Sequence, residues 1–372
     1  MTPDPNLDDE PQRFGEGEPF SLGVEEELFL VDFRSGRQLN AGASVLEDLG
    51  ALDRGQVEAE VHACQVELIT DVCSTVAEAI AVLGRLHEAV LATGVGLIGS
   101  GTHPTAQEGD ANFTDKERYK LIHDLLGDAI ATPVSALHIH VGMPDAQTAI
   151  RAFNGLRRHL PLLEAVAANS PFRHGRDTGL ASAREITLRA WPRSDAPRAM
   201  EDFEDFCRST SRLTEVAEVP DYTFHWWKLR PHPRLGTVEI RALDAQASLE
   251  QTAALVAAVH SLARHEASAA AREGPPAEIL DEASFRAARA GVDATLPDAA
   301  DGRLRPARDL LAETIELARP HARDLGCEAE LDALGVLAEQ GGGAGLQRAC
   351  VRDGVMAPLL EKLIQRAGDE AT

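Results

Sequence analysis

The chain has no Cys-x-x-Cys pair; its five cysteines, Cys64, Cys73, Cys207, Cys327 and Cys350, are odd in number and widely spaced. That argues against a disulfide framework and against a structural zinc site built on thiolates, and it fits a reduced, cytoplasmic protein. No apolar run approaches the ~18 residues of a membrane span. The opening MTPDPNLDDEPQR has no apolar centre, so it reads as neither a signal nor a transit peptide, and residues 1–18 are expected to form a disordered arm. Positive charge is also short: 36 basic residues face 60 acidic ones, a net charge of −24. A surface of that sign repels nucleic-acid backbones and anionic lipid, so neither nucleic acid nor membrane is an expected partner. Walker and Rossmann fingerprints are missing, as is any internal repeat. The glycine loop Gly99 to Pro104 matches neither fingerprint and reads as a plain turn or a weak phosphate cradle.

What the chain does have is carboxylates on strands. Its 372 residues, 44% of them hydrophobic, suffice for a proper core. Residues 20–33 follow a period of two, with Glu25 and Glu27 on one face and Val24, Glu26 and Leu28 on the other. Like charges so placed repel, so the pair is either a cation site or a well-solvated edge. In Val57 to Thr70, Glu67 sits among Val66, Leu68 and Ile69. Glu60, seven residues earlier, joins it only across a bulge or if the strand begins after it. His138 and His140 share a face of the strand in 134–142, as metal ligands or as satisfied structural histidines. Gly236 to Asp244 places Glu239 and Arg241 on one polar face, as a cation and phosphate site or as a solvated ion pair.

Helical spacing marks Ala43 to Leu49, Thr75 to Ala92 with His87 on an exposed face, and Lys116 to Leu126. It also marks Ala146 to Ala168, broken at Pro161, and Asp195 to Ala217. Arg173 to Arg184 reads as a glycine- and arginine-rich loop, and Thr187 to Trp191 as a possible strand. Trp226 and Trp227 either stack on a base or fill core. From Ser248 the chain becomes alanine-rich helices: Leu249 to Ala271, Ala283 to Ala290, Ala307 to Leu317, Ala329 to Glu339 and Leu346 to Arg366. Gly341 to Gly343 reads as a linker.

Six ordered motifs between Phe20 and Ser248 resemble the carboxylate-amine ligases, the family also called glutamate-cysteine ligase type 2. They are GVEEEL at 23–28, QVELIT at 65–70, GTHP at 101–104, HIHVG at 138–142, NSPF with GRDTGLAS at 169–182, and RPHPRLGTVEIRALD at 230–244. The resemblance implies an α+β fold related to glutamine synthetase. Its antiparallel sheet would curve into a funnel covered by helices, in one ligase domain over 19–372 with the catalytic motifs in 20–248 and a helical part in 249–372. It implies ATP and Mg²⁺ or Mn²⁺ as cofactors, glutamate and an amine such as cysteine as substrates, and a homodimer. Glu25, Glu27, Glu67, His138 and Glu239, with Glu60 as a further candidate, fall at metal positions. Arg241 falls at the arginine that contacts the transferred phosphate, with Glu239 beside it in catalysis. Arg189, Arg176, Arg184 and His140 are the expected substrate contacts. Lys228 and Ala183 depart from the family pattern on the acceptor side. A non-catalytic nucleotide- or glutamate-binding protein on the same scaffold is the alternative, and a zinc hydrolase using His138 and His140 a weaker one, since the acidic ligands suit a harder ion.

Overall fold

Residues 22–31 alternate between buried and half-buried positions before a wholly buried end, and this strand, β1 (Leu22–Val31), is the spine of the computed structural model. Residues 12–270, 274–299 and 301–369 are described. After β1 come β2 (Gln56–Ala59), β3 (Gln65–Ile69), β4 (Gly96–Ile98) and β5 (Ala136–Gly142). A small hairpin follows, β6 (Phe172–Arg173) and β7 (Arg176–Asp177), then β8 (Leu229–His232) and β9 (Thr237–Asp244), and finally a second hairpin, β10 (Thr295–Pro297) and β11 (Leu304–Pro306). β1 centres a seven-stranded antiparallel sheet in the order β2-β3-β1-β5-β9-β8, with β4 paired to its far end. This is the α+β architecture expected from the motifs.

The helices are α1 (Gly42–Asp48), α2 (Val76–Leu91), α3 (Glu117–Leu126), α4 (Ala146–Leu156), α5 (Leu160–Ala167), α6 (Ala183–Leu188) and α7 (Phe203–Ala217). α8 (Leu249–Ser268), α9 (Ala277–Ala290), α10 (Ala307–Leu325), α11 (Glu328–Glu339), α12 (Gly342–Cys350) and α13 (Ala357–Asp369) complete the chain. Side-chain caps start several of them: Thr75, Asp145, Ser182, Asp202 and Ser248 each accept a backbone N–H from the first turn. α8 is buried almost all round, the pattern of a helix inside a core. It packs between α2, α4, α10 and α11, and these helices close the apolar face of the sheet. Each Leu or Val so buried contributes about 1.5–3 kcal/mol.

Several expectations need correcting. His87 is buried, its Nε2 2.8 Å from Glu26, because Glu26 points to the apolar side of β1 and needs a partner there. Thr252 of α8 donates to the other Glu26 oxygen at 2.5 Å. Asp195 to Ala217 is helical only from Phe203; Pro197 lies in the preceding loop, and Asp202 supplies the cap. Thr187 to Trp191 is no strand, since Ser182 starts α6 and Arg189 is its C-cap. Leu346 to Arg366 divides into α12 and α13 around an irregular segment. Gly342 and Gly343 open α12 rather than merely link helices, and a Cβ on Gly343 would meet Asn169 Oδ1 at 2.5 Å. Much of the expected arm lies outside the described residues. Its last part is held, with the Arg13 N–H donating to Pro233 O and Gly15 to Met143 O, both at 3.0 Å. The break at Pro161 is as expected, at the start of α5.

Candidate active site

Strand register assembles the acidic side chains. Glu27 lies directly opposite Glu67 across β1 and β3, Glu25 opposite His138 across β1 and β5, and His140 opposite Glu239 across β5 and β9. The β5–β9 pairing shifts register between Leu137 and Ile139, a bulge that re-aims His138. The hairpin between β2 and β3 answers how Glu60 joins Glu67: β2 ends at Ala59 and β3 begins at Gln65, so the alternation restarts between them. Two ligand clusters result, Glu25 with Glu67 and His138, and Glu27 with Glu60 and Glu67, each with its donor atoms within 4.8 Å of one another. His138 Nδ1 is 3.1 Å from Glu25 and 3.8 Å from Glu67, and its Nε2 is 3.5 Å from Glu27.

The electrostatics follow from this crowding. Burial, and then the negative charge of Glu60, push the Glu27 carboxyl up to about 8. Burial together with Glu25, Glu60 and Glu27 raises Glu67 well above the ordinary carboxylate range, and burial raises Glu60. Glu25 goes the other way: burial opposes its charge, but His140 and His138 hold it well below the usual value. Burial, with Arg241 nearby, lowers His138 to about 4, so the ring is neutral at pH 7. Carboxylates that repel one another around a neutral imidazole fit a hard divalent cation, Mg²⁺ or Mn²⁺. Neither cluster contains a cysteine, which disfavours zinc.

Glu239, expected at a metal position, stands in neither cluster among the described residues. It is 1% exposed, and its two oxygens are taken by Arg230 and by Arg241. Burial works against its charge, but those two guanidinium groups hold it well below the usual carboxylate value. The same pairing keeps Arg241 raised despite its burial. Glu239 therefore orients Arg241 at the cavity wall, and His140 Nε2, 3.8 Å away, links it to Glu25 at 3.3 Å. Glu239→Gln is expected to leave Mn²⁺ binding unchanged while lowering kcat about 10- to 100-fold by loosening Arg241. Loss of Mn²⁺ binding, followed by paramagnetic resonance, would return Glu239 to the ligand shell.

The clusters open into a cavity of about 400 Å³. Arg184 lines it, its two Nη atoms donating to the Ala242 and Arg241 carbonyls, so it braces β9. Arg189 and Arg176 do not line it. Arg189 turns to Asp281 on α9 at 2.9 Å because it caps α6, and Arg176 is exposed on β7. The loop Gly99 to Pro104 is likewise not among the lining residues. Gly101 is needed there because a Cβ would strike the Asp244 carboxylate at 2.6 Å, so the loop is packing rather than a phosphate cradle. Trp226 forms wall with Trp191 edge-on at 5.5 Å, whereas Trp227 is core.

Sequence reasoning missed the cap and first turn of α3, where Lys116, Arg118 and Tyr119 face the cavity. Tyr119 Oη donates to Ala59 O at 2.6 Å, and Arg118 lies over the Phe224 ring. Polar residues on a helix are ordinary, and no signal in the chain singles these out. The departure at Lys228 is compensated: its Nζ sits 2.5 Å from Glu185 and 2.8 Å from Glu164, so the region stays acidic. Ala183, the other departure, is a buried residue in the first turn of α6.

The chain is similar to several known proteins. A family model described as Glutamate-cysteine ligase family 2 matches residues 21–365. Among curated relatives, one from Rubrobacter xylanophilus, named "Putative glutamate--cysteine ligase 2-3", is 37% identical over 95% of this chain and 98% of its own. One from Micrococcus luteus, named "Putative glutamate--cysteine ligase 2", is 36% identical over 90% of this chain and 88% of its own. Among solved structures, glutamate-cysteine ligase of Francisella tularensis in complex with AMP superposes with a TM-score of 0.70 at 12% identity, covering 95% of this chain and 89% of that one. A bifunctional glutathione synthetase of Pasteurella multocida gives 0.63 at 16% identity, covering 95% of this chain and 52% of that one. These two likenesses establish a common fold. With the family pattern running through nearly the whole chain, and with relatives above 30% identity along most of their length, the protein belongs to glutamate-cysteine ligase family 2.

Proposed function

We propose that the protein is an ATP-dependent carboxylate-amine ligase that joins glutamate, through its side-chain carboxylate, to an amine by way of a γ-glutamyl phosphate. The observation that carries this reading is Glu67, shared by two carboxylate clusters at the end of a cavity whose wall also presents Arg241. The names of the relatives and the AMP bound to the Francisella protein support it.

Glu25, Glu67 and His138 would hold one divalent cation, and Glu27, Glu60 and Glu67 a second; when bound, these ions screen the charges of a triphosphate. Arg241, fixed by Glu239, neutralises charge on the phosphoryl group as it passes to the glutamate side chain. Trp191 and Trp226 offer an apolar wall, and Arg118 and Lys116 offer cations to anionic substrate groups. An ammonium acceptor must lose a proton before it attacks. Glu185 lines the cavity, one oxygen bound by Lys228 and the other without a hydrogen-bond partner among the described residues, and it takes that proton. Release of ADP that requires both glutamate and an amine is the expected result; ATP or glutamate binding with no ADP formed under any amine would overturn the reading in favour of a binding protein.

Cysteine is expected to be a modest acceptor. Among the described residues the cavity wall holds no cysteine or methionine and presents many charged groups, so a thiol is distinguished from a methyl group mostly by shape. Competition between cysteine and 2-aminobutyrate should give a preference within about 10²-fold, and one of ~10⁴-fold would reveal a dedicated thiol site.

A further inference from the structure

α4, the short 3₁₀ turn of Arg157 to His159 that follows it, and the start of α9 surround a second cavity of about 680 Å³. Among the described residues it shares no lining residue with the catalytic cavity. Arg151, Arg157, Arg158 and Arg198 line it, against Glu201 and Glu266. Such a concentration is unexpected in a chain with 60 acidic and 36 basic residues.

Some of these charges already have partners. Arg198 is forked onto Asp205 at 2.7 and 2.8 Å, and Glu266 is 2.8 Å from His159 Nε2. Gly155 makes room for Glu266, since a Cβ there would collide with its carboxylate. Arg158 is 3.9 Å from Glu266 and donates its Nε–H to Gly155 O.

Arg157 differs from the others. It is 2% exposed, its Nε–H donates to Pro197 O at 2.7 Å, and among the described residues it has no carboxylate partner. Its Nη1 lies beside Gly274 on the cavity wall. Burial lowers it only to about 10, so it stays charged at neutral pH. A buried guanidinium without a counter-ion is costly, and its planar fork matches a carboxylate or a phosphate. Arg151, six positions earlier and exposed, faces the same cavity.

We propose that this cavity binds a small dianion, a phosphate-bearing or dicarboxylate molecule, at a site separate from the catalytic one, with Arg157 as the buried anchor and Arg151 and Arg158 at the entrance. Its volume suits a metabolite-sized ligand.

Calorimetric titration of the full chain with inorganic phosphate and with succinate tests this. Phosphate can also enter the catalytic cavity, so both titrations are repeated in a Lys116→Ala, Arg118→Ala double variant, which removes the cations that cavity offers to anionic groups. Saturable binding of at least one probe should survive the double variant, weaken about tenfold or more in Arg157→Gln, and weaken several-fold in Arg151→Glu. The stronger probe then assigns the ligand class. Binding of neither probe, or binding lost in the double variant yet intact in Arg157→Gln, would overturn the proposal. Should Arg157→Gln fail to fold, the exposed Arg151→Glu decides, and unchanged affinity there would sink it.

Discussion

Glu67→Gln is expected to lower turnover about 10³-fold or more and to abolish tight Mn²⁺ binding, the larger of the two strongest effects anticipated for this chain. Glu67 is the one side chain common to both ligand clusters, so its loss removes a charged oxygen from each. Glutamine keeps the size and one oxygen but withdraws the charge that holds a hard cation. The fold should survive, because the substitution removes one of several crowded negative charges rather than a packing contact. A melting curve of the metal-free variant should therefore lie no lower than that of the parent, while titration of turnover with Mg²⁺ fails to reach a plateau. Activity within tenfold of the parent, with unchanged metal dependence, would mean that the clusters hold no catalytic cation.

Arg241→Ala should depress kcat by ~10²-fold or more while leaving Mn²⁺ binding and the KM for ATP within a few-fold of the parent. The guanidinium lines the cavity, and Glu239 holds it with the help of Arg230 on the neighbouring strand. Deleting it leaves Glu239 paired to Arg230, so the buried carboxylate is not orphaned and the sheet should keep its shape. Arg241→Lys should rescue little, since a single ammonium cannot satisfy Glu239 and a phosphoryl oxygen in the same fork geometry. A rise in KM for ATP with kcat unchanged would make Arg241 a ground-state binding residue instead.

The site was legible in the sequence to the extent that its chemistry is local. The alternation in 22–31 and 136–142 is a property of a few consecutive residues, and it put Glu25, Glu27 and His138 on the right faces. What lies between strands is not local. That Glu27 meets Glu67, and that Glu239 is consumed by Arg230, depend on register, which a single chain does not spell out. The same limit applies to His87, whose helical position looked exposed until Glu26 required a partner across the layer. Arg189 was assigned by resemblance and Arg176 from its glycine- and arginine-rich loop, and the start of a helix at Ser182 carried Arg189 away from the cavity. The helical C-terminal region was recognised by its alanines, but that helical spacing overrode the Asp353-Gly354 turn and Pro358, which separate α12 from α13.

Three glutamates in succession, Glu25, Glu26 and Glu27, send two carboxylates to the cavity and one to a buried pair formed with His87 and Thr252. This makes the central strand a lock with a single key position. Were β1 to slide by one residue against β3 and β5, Glu26 would enter the cavity alone, and two glutamates would be driven into an apolar helical layer furnished with partners for only one. The same tripeptide that invites a cation thus rejects misthreaded sheets before any substrate is met. A Glu26→Leu chain, apolar and well suited to that layer, would lose this safeguard even if it gained stability.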